Sequence, residues 1–225
     1  MKTERSFIPG DGCSVPAILL IPEHPRGAAI IVHGYGGNKE EQLGLGWRVA
    51  EAGLLACVID LRGHGEHPLQ LDINAGSDLN AAIRYCRSFG KVTAIGHSLG
   101  GRLALLSDAD FRIAISPSLG RMYGERTQEM LRTLRSHRVR PPDLATLLAI
   151  QERLLVWDPA SGSGNTLLLF AERDAPEIRE GCITLMNAGV HAIEIPGAMH
   201  SDIFLVEQTF SAIRDQIGEW YGTGT

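Results

Sequence analysis

The stretch Lys91-Val92-Thr93-Ala94-Ile95-Gly96-His97-Ser98-Leu99-Gly100-Gly101 constrains this chain more than any other. A run with β-branched residues ends in Gly-x-Ser-x-Gly, and the helix-forming run Arg102 to Leu106 follows at once. The pattern predicts strand, sharp turn and helix, with Ser98 at the apex. A nucleophile on such a turn sits on strained backbone with its hydroxyl clear of both elements. Gly96 and Gly100 lie where strand and helix converge, and side chains there would collide. The plainer reading of Ser98 is a polar helix N-cap. Deciding between the two requires an acid and a base elsewhere in the chain.

Around this turn the sequence alternates. Val15 to Pro22 reads as a strand. Ala28 to Val32 and Leu54 to Asp60 are continuous apolar runs, the pattern of parallel strands covered on both faces. Between them Asn38 can cap a helix from Lys39 to Gly53. A glycine-rich loop from Leu61 to Pro68 leads to a helix over Ala75 to Phe89, with Leu79, Ile83 and Cys86 at helical spacing. Phe111 to Pro117 is a short strand. The alternation then breaks. Arg121 to Leu155 reads as two helices separated by Pro141-Pro142, and it resumes with strand Thr166 to Ala171, helix Pro176 to Ala188, strand His191 to Ile195 and a final helix from Asp202 to Tyr221. Asp202 is the expected cap of that helix. The pattern predicts an α/β fold, a mainly parallel central sheet flanked by helices in a single domain over 1–225. Its active residues should lie beyond the carboxyl ends of the strands. The helical insertion over 119–160 follows a strand and emerges on that side, where it can act as a lid.

Composition narrows the function classes. The 225 residues carry 21 Lys and Arg against 26 Asp and Glu, a net charge of −5, which argues against a nucleic-acid partner. Apolar runs such as Ala28 to Val32 are far shorter than the ~20 residues a membrane span needs. Met1 to Arg5 leads into no apolar signal core, so a cytoplasmic location is expected. Cys13, Cys57, Cys86 and Cys182 show no metal-ligand spacing and read as free thiols in a reducing compartment. No metal or cofactor is expected. The expected partner is a small acyl substrate, with the protein a monomer or homodimer.

A serine hydroxyl needs a base within hydrogen-bond reach, and the base needs an orienting acid. Asp174 stands just after the strand ending at Ala171, with Glu172 and Asp158 as rivals. His200 stands just after the strand ending at Ile195, with His33, His64, His67, His97 and His191 as rivals. His33 is expected to shape the neighbouring loop through hydrogen bonds. The ring of His97 should point away from the serine. His64 and His67 read as solvated, and Asp60 and Arg62 as a local ion pair fixing the glycine loop.

Five segments carry a family resemblance: His33-Gly34-Tyr35-Gly36-Gly37, Asp60-Leu61-Arg62-Gly63-His64-Gly65, Gly96-His97-Ser98-Leu99-Gly100-Gly101, Ala171-Glu172-Arg173-Asp174 and Gly197-Ala198-Met199-His200. In order and spacing the chain resembles the α/β-hydrolase-fold serine hydrolases of the esterase, dienelactone-hydrolase-like and acyl-peptidase-like group. The resemblance implies Ser98 as nucleophile, His200 as base, Asp174 as acid, and an oxyanion hole made by the backbone N–H groups of Tyr35 and Leu99. Dienelactone hydrolases proper use a cysteine nucleophile, and the serine here favours a carboxylester hydrolase. Amide or thioester cleavage on the same residues is the alternative, and a non-catalytic binding protein of this fold is a third. Arg121, Arg126, Arg132, Arg135, Arg138 and Arg140 enrich the insertion in positive charge. They suit either an acidic substrate or a solvated helix face, and their differing helical directions favour the solvated face.

Overall fold

The computed structural model describes residues 1–222. Eight strands form one sheet: β1 (Lys2–Pro9), β2 (Ser14–Ile21), β3 (Ala28–Val32), β4 (Leu55–Ile59), β5 (Val92–His97), β6 (Phe111–Ile115), β7 (Thr166–Arg173) and β8 (Ala192–Met199). Their order is β1-β2-β4-β3-β5-β6-β7-β8. The pairs β1–β2 and β2–β4 are antiparallel and all others are parallel. Among the described residues the α-helices are α1 (Leu43–Glu51), α2 (Ala75–Cys86), α3 (Leu99–Leu105), α4 (Glu125–Leu134), α5 (Leu144–Arg153), α6 (Pro176–Asn187) and α7 (Glu207–Tyr221).

The continuous apolar runs are explained by two cores, one on each face of the sheet. Along β3, Ala28, Ile30 and Val32 enter a core with Leu79 and Ile83 of α2 and Leu99 and Leu103 of α3. The alternate residues Ala29 and Ile31 enter a second core with Leu45 and Val49 of α1 and Ile213 and Ile217 of α7. Side chains of a strand alternate between faces, so a strand covered twice must be apolar at every position.

The sequence reading passes over β1, whose exposed Lys2, Glu4 and Arg5 show no apolar alternation. It forms because its backbone pairs with β2 from Lys2↔Ile21 to Pro9↔Ser14, and charge suits the open edge of a sheet. At the other edge β8 continues past Pro196 to Met199, which an edge strand tolerates because one side needs no donor. The helix expected from Lys39 opens instead as a 3₁₀ turn, Glu40–Gln42, with Asn38 Oδ1 accepting the Glu41 N–H at 2.9 Å. Asp202 does not cap the last helix. Its Oδ1 accepts the Met199 N–H at 2.8 Å, and α7 starts later, at Glu207.

The two helices of the insertion differ in role. Leu144, Leu147 and Ile150 of α5 join the same core as α2 and α3. On α4 only Thr127 is buried. The buried Arg102 of α3 ties the two ends of the insertion together by donating to the carbonyls of Gly120, Leu154 and Leu155. No helix among the described residues is long and apolar enough to cross a membrane.

Candidate active site

β5 enters the turn at Gly96, and Ser98 takes φ 56° and ψ −113° before α3 begins at Leu99. That is a left-handed backbone for a residue with a Cβ, a strained state that surrounding packing must enforce. The packing is close. A Cβ on Gly96 would lie 2.0 Å from the Gly100 carbonyl oxygen, and one on Gly100 would lie 2.6 Å from the carbonyl oxygens of Val32 and His33.

Asp174 follows β7, and His200 follows β8. The two meet: His200 Nδ1 and Asp174 Oδ1 are 2.7 Å apart. Every carboxylate oxygen of Asp174 is occupied. Oδ1 also accepts the Ala175 N–H at 2.9 Å, and Oδ2 accepts the Ala171 N–H at 3.1 Å and the Ser116 hydroxyl. Burial pushes the Asp174 pKa up, but the hydrogen bonds and charge interaction from His200, with Ser116 and Ala171, outweigh it, and the net shift is downward. Asp174 is therefore a carboxylate aimed at an imidazole. Ser116 was not singled out in the sequence. It is buried at the end of β6 with φ 45°, and its only sequence signal is its place before Pro117 at a strand terminus.

Among the rival acids, Glu172 is exposed and accepts the Gly197 N–H at 2.7 Å, while Asp158 precedes β7 and so lies at the opposite end of that strand. Among the rival histidines, His97 packs on His200 with ring centroids 4.8 Å apart, and its Nε2 donates to the His200 carbonyl at 2.8 Å. Burial, followed by the neighbouring His200, lowers the His97 pKa to about 3, so the ring is neutral and supports the His200 loop. Ser98 and His200 line one cavity, and the Ser98 hydroxyl has no hydrogen-bond partner among the described residues.

The loop after β3 is held from below by two neutral histidines. His33 Nδ1 donates to the Gly34 carbonyl at 2.8 Å and Nε2 accepts the Leu61 N–H at 3.2 Å. His64 Nδ1 donates to the Arg62 carbonyl at 3.0 Å and Nε2 accepts the Gly36 N–H at 3.0 Å. Burial first, and then mutual proximity for His64, lower their pKa values to about 4 and about 3. His64 and His67 are fully buried, which overturns their reading as solvated loop residues. The expected Asp60–Arg62 pair is also absent. Asp60 pairs with the buried Lys39 at 2.7 Å, and Arg62 pairs with Asp78 at 2.8 Å, because the loop curls inward over the sheet edge. Tyr35 reaches across to the insertion, its hydroxyl bonding Ser136 Oγ at 3.1 Å and the Asp143 carbonyl at 3.0 Å. The backbone N–H groups of Tyr35 and Leu99 find no protein acceptor among the described residues.

The cavity holds about 640 Å³, within the range of small-molecule sites. Met130, Leu131 and Leu134 of α4 form one wall, and Met199 and Phe204 another. A separate cluster joins Cys13, His67 and Asp78, with ligand atoms within 4.8 Å of one another. It does not fit a metal. His67 Nδ1 accepts the Leu69 N–H at 3.2 Å, so in the neutral ring the proton sits on Nε2, the atom that would have to bind. Asp78 is already engaged by Arg62 through both oxygens.

The sequence matches the family model described as the alpha/beta hydrolase family over residues 29–212. No curated protein matches it. Solved structures are similar throughout. A hyperthermophilic esterase from Pyrobaculum calidifontis shares 20% identity with a TM-score of 0.64, over 97% of this chain and 86% of that one. An esterase from Pyrococcus furiosus shares 16% identity with a TM-score of 0.74, over 98% and 92%. Est1E from Butyrivibrio proteoclasticus shares 16% identity with a TM-score of 0.66, over 96% of each chain. Likeness at these identities is likeness of fold. The family match spans the turn at Ser98 and both strands that carry Asp174 and His200, and on that ground the chain belongs to the alpha/beta hydrolase family.

Proposed function

We propose that the protein is a serine hydrolase that cleaves small or medium carboxylic esters through an acyl-enzyme on Ser98. The observation that carries this reading is the 2.7 Å contact between Asp174 and His200, on two adjacent strands, beside a serine on strained backbone in the same cavity. His200 Nε2 takes the Ser98 proton as Oγ attacks the ester carbonyl carbon. Asp174 accepts the Nδ1–H and stabilises the imidazolium that forms. The carbonyl π electrons move to oxygen, which the Tyr35 and Leu99 N–H groups receive. One such donor is typically worth about 3 kcal/mol to the transition state. Collapse of the intermediate breaks the bond to the alcohol, which leaves with the proton from His200. Water then repeats the sequence on the acyl-enzyme and frees the acid.

In this reading α4 is the covering part of the 119–160 insertion, and α5 anchors it. A fluorophosphonate probe tests the proposal. Labelling of the wild type that is lost in Ser98→Ala is expected, and an unlabelled wild type overturns the reading. Turnover of p-nitrophenyl butyrate should fall by orders of magnitude in Asp174→Asn and little in Glu172→Gln. The reverse result would reassign the acid. A panel of esters, thioesters and aminoacyl amides then separates the ester reading from its alternatives.

A further inference from the structure

Five arginines of the insertion sort into two groups once their partners are known. Arg132 pairs with Glu129 at 2.5 Å, Arg138 with Glu41 at 2.9 Å, and Arg140 donates to the carbonyls of Gly65 and His67. Arg126 and Arg135 have no protein partner for their guanidinium groups among the described residues, and both line the cavity that holds Ser98 and His200. They stand at opposite ends of α4, Arg126 in its first turn and Arg135 one residue past its last. The helix rise puts those ends about 14 Å apart. Between them the same helix presents Met130, Leu131 and Leu134 to the cavity.

Arg135 is held close to the candidate chemistry. Its Cβ and Cδ pack on Gly36, where an added Cβ would lie 2.8 Å and 3.1 Å from them. Gly36 directly follows Tyr35, so the stem of Arg135 rests on the loop that offers the oxyanion donor. Its charge is felt at His97 and helps keep that ring neutral. The negative charges on the cavity wall are already committed. Glu41 is paired with Arg138, and Asp174 with His200 and three other donors. Arg173 adds a third cation, tied to the Gly197 carbonyl at 2.8 Å. A mostly apolar cleft with unpaired guanidinium groups at its rim concentrates field on an incoming anion, and the planar fork of arginine matches a carboxylate.

We infer that the preferred substrate is an ester bearing a free carboxylate, with Arg135 as the main specificity residue and Arg126 as a second. This rests on the hydrolase reading above. The apolar wall of α4 takes the carbon chain, and the guanidinium groups take the charged end. Differing directions along a helix do not apply to Arg135, because the chain leaves helical geometry there at φ −125° and ψ −36°.

The test compares kcat/KM for mono-p-nitrophenyl glutarate with that for p-nitrophenyl butyrate, and for 4-butyryloxybenzoate with that for phenyl butyrate. These place the carboxylate on the acyl side and the alcohol side. At least one ratio is expected to favour the anion by about tenfold, the worth of one good charge-assisted contact. That ratio should collapse in the double variant Arg126→Gln and Arg135→Gln, mainly through KM, and persist in Arg132→Gln. Ratios near or below one in the wild type overturn the inference, as does a ratio unaffected by the double variant. Binding of glutarate to Ser98→Ala, followed by calorimetry, separates the two readings. If the probe labels nothing but glutarate binds and the double variant loses it, the hydrolase reading falls and the anion site stands. If the probe labels Ser98 and neither the ratios nor glutarate binding depend on the arginines, the anion site falls alone.

Discussion

His64 Nε2 accepts the Gly36 N–H at 3.0 Å, so a buried ring from the loop after β4 sets the height of the loop after β3. Tyr35, the proposed oxyanion donor, is the neighbouring residue. His64→Ala should therefore lower kcat on p-nitrophenyl butyrate by about tenfold to a hundredfold with a smaller change in KM, since a misplaced donor acts on the transition state. His64→Gln, which keeps an acceptor, should recover part of the loss. Steady-state kinetics on both variants, with circular dichroism to confirm folding, checks this.

The turn at Ser98 admits no side chain at its flanking glycines. Gly96→Ala should either abolish soluble expression or cost more than about 3 kcal/mol, because the methyl would lie 2.0 Å from a backbone oxygen with nothing flexible to move. Gly44→Ala is the comparison: nothing lies within 4 Å of its added Cβ, and a helical alanine should be neutral or stabilising. Urea unfolding of the two variants measures the contrast.

Lys39 and Asp60 form an ion pair that is 1% and 0% exposed at the side chain. Asp60 also accepts the backbone N–H groups of Lys39 and Glu66 at 2.8 and 2.9 Å. Lys39→Met removes one charge and leaves the other buried, with an expected loss of about 3–5 kcal/mol. Lys39→Met combined with Asp60→Asn should cost less than the sum of the two single changes. A double-mutant cycle by thermal denaturation reads the coupling.

Three buried histidines make stability depend on pH. His33, His64 and His97 have folded pKa values lowered to about 4, about 3 and about 3 from 6.5. Below 6.5 the unfolded chain binds protons that the folded chain refuses, so stability is present above 6.5 and is lost as pH falls through the folded values of about 4 and about 3. Each group contributes a slope of at most about 1.4 kcal/mol per pH unit. Urea unfolding should show a proton uptake that rises from under about one at pH 7 to nearly about three at pH 5, and His64→Gln should reduce the uptake at pH 5 by about one.

Much of the architecture is legible in the chain because its signals are local. The apolar runs at Ala28 to Val32 and Leu55 to Ile59 are parallel strands covered on both faces. Gly96 and Gly100 mark a turn that no larger residue could make. The strand ends also place Asp174 and His200 on one edge of the sheet, as their contact requires. β1 was not legible, since its exposed charges are stabilised by backbone pairing with β2 rather than by any pattern of its own.

What the sequence determined by itself was the periodicity of its elements and the residues that end its strands, since both depend on neighbours a few positions away. Only the tertiary structure decided which polar side chains are inside and which charges are paired. Glycine-rich loops such as Leu61 to Pro68 can extend into water or curl over a sheet edge, and hydrophobic pattern does not distinguish the two. Here the loop curls, so His64 and His67 are buried, Asp60 takes Lys39 and Arg62 takes Asp78. The insertion obeys the same physics. Its arginines look alike along the chain, and only the folded positions of Glu41, Glu129 and the loop carbonyls leave Arg126 and Arg135 uncommitted at the cavity.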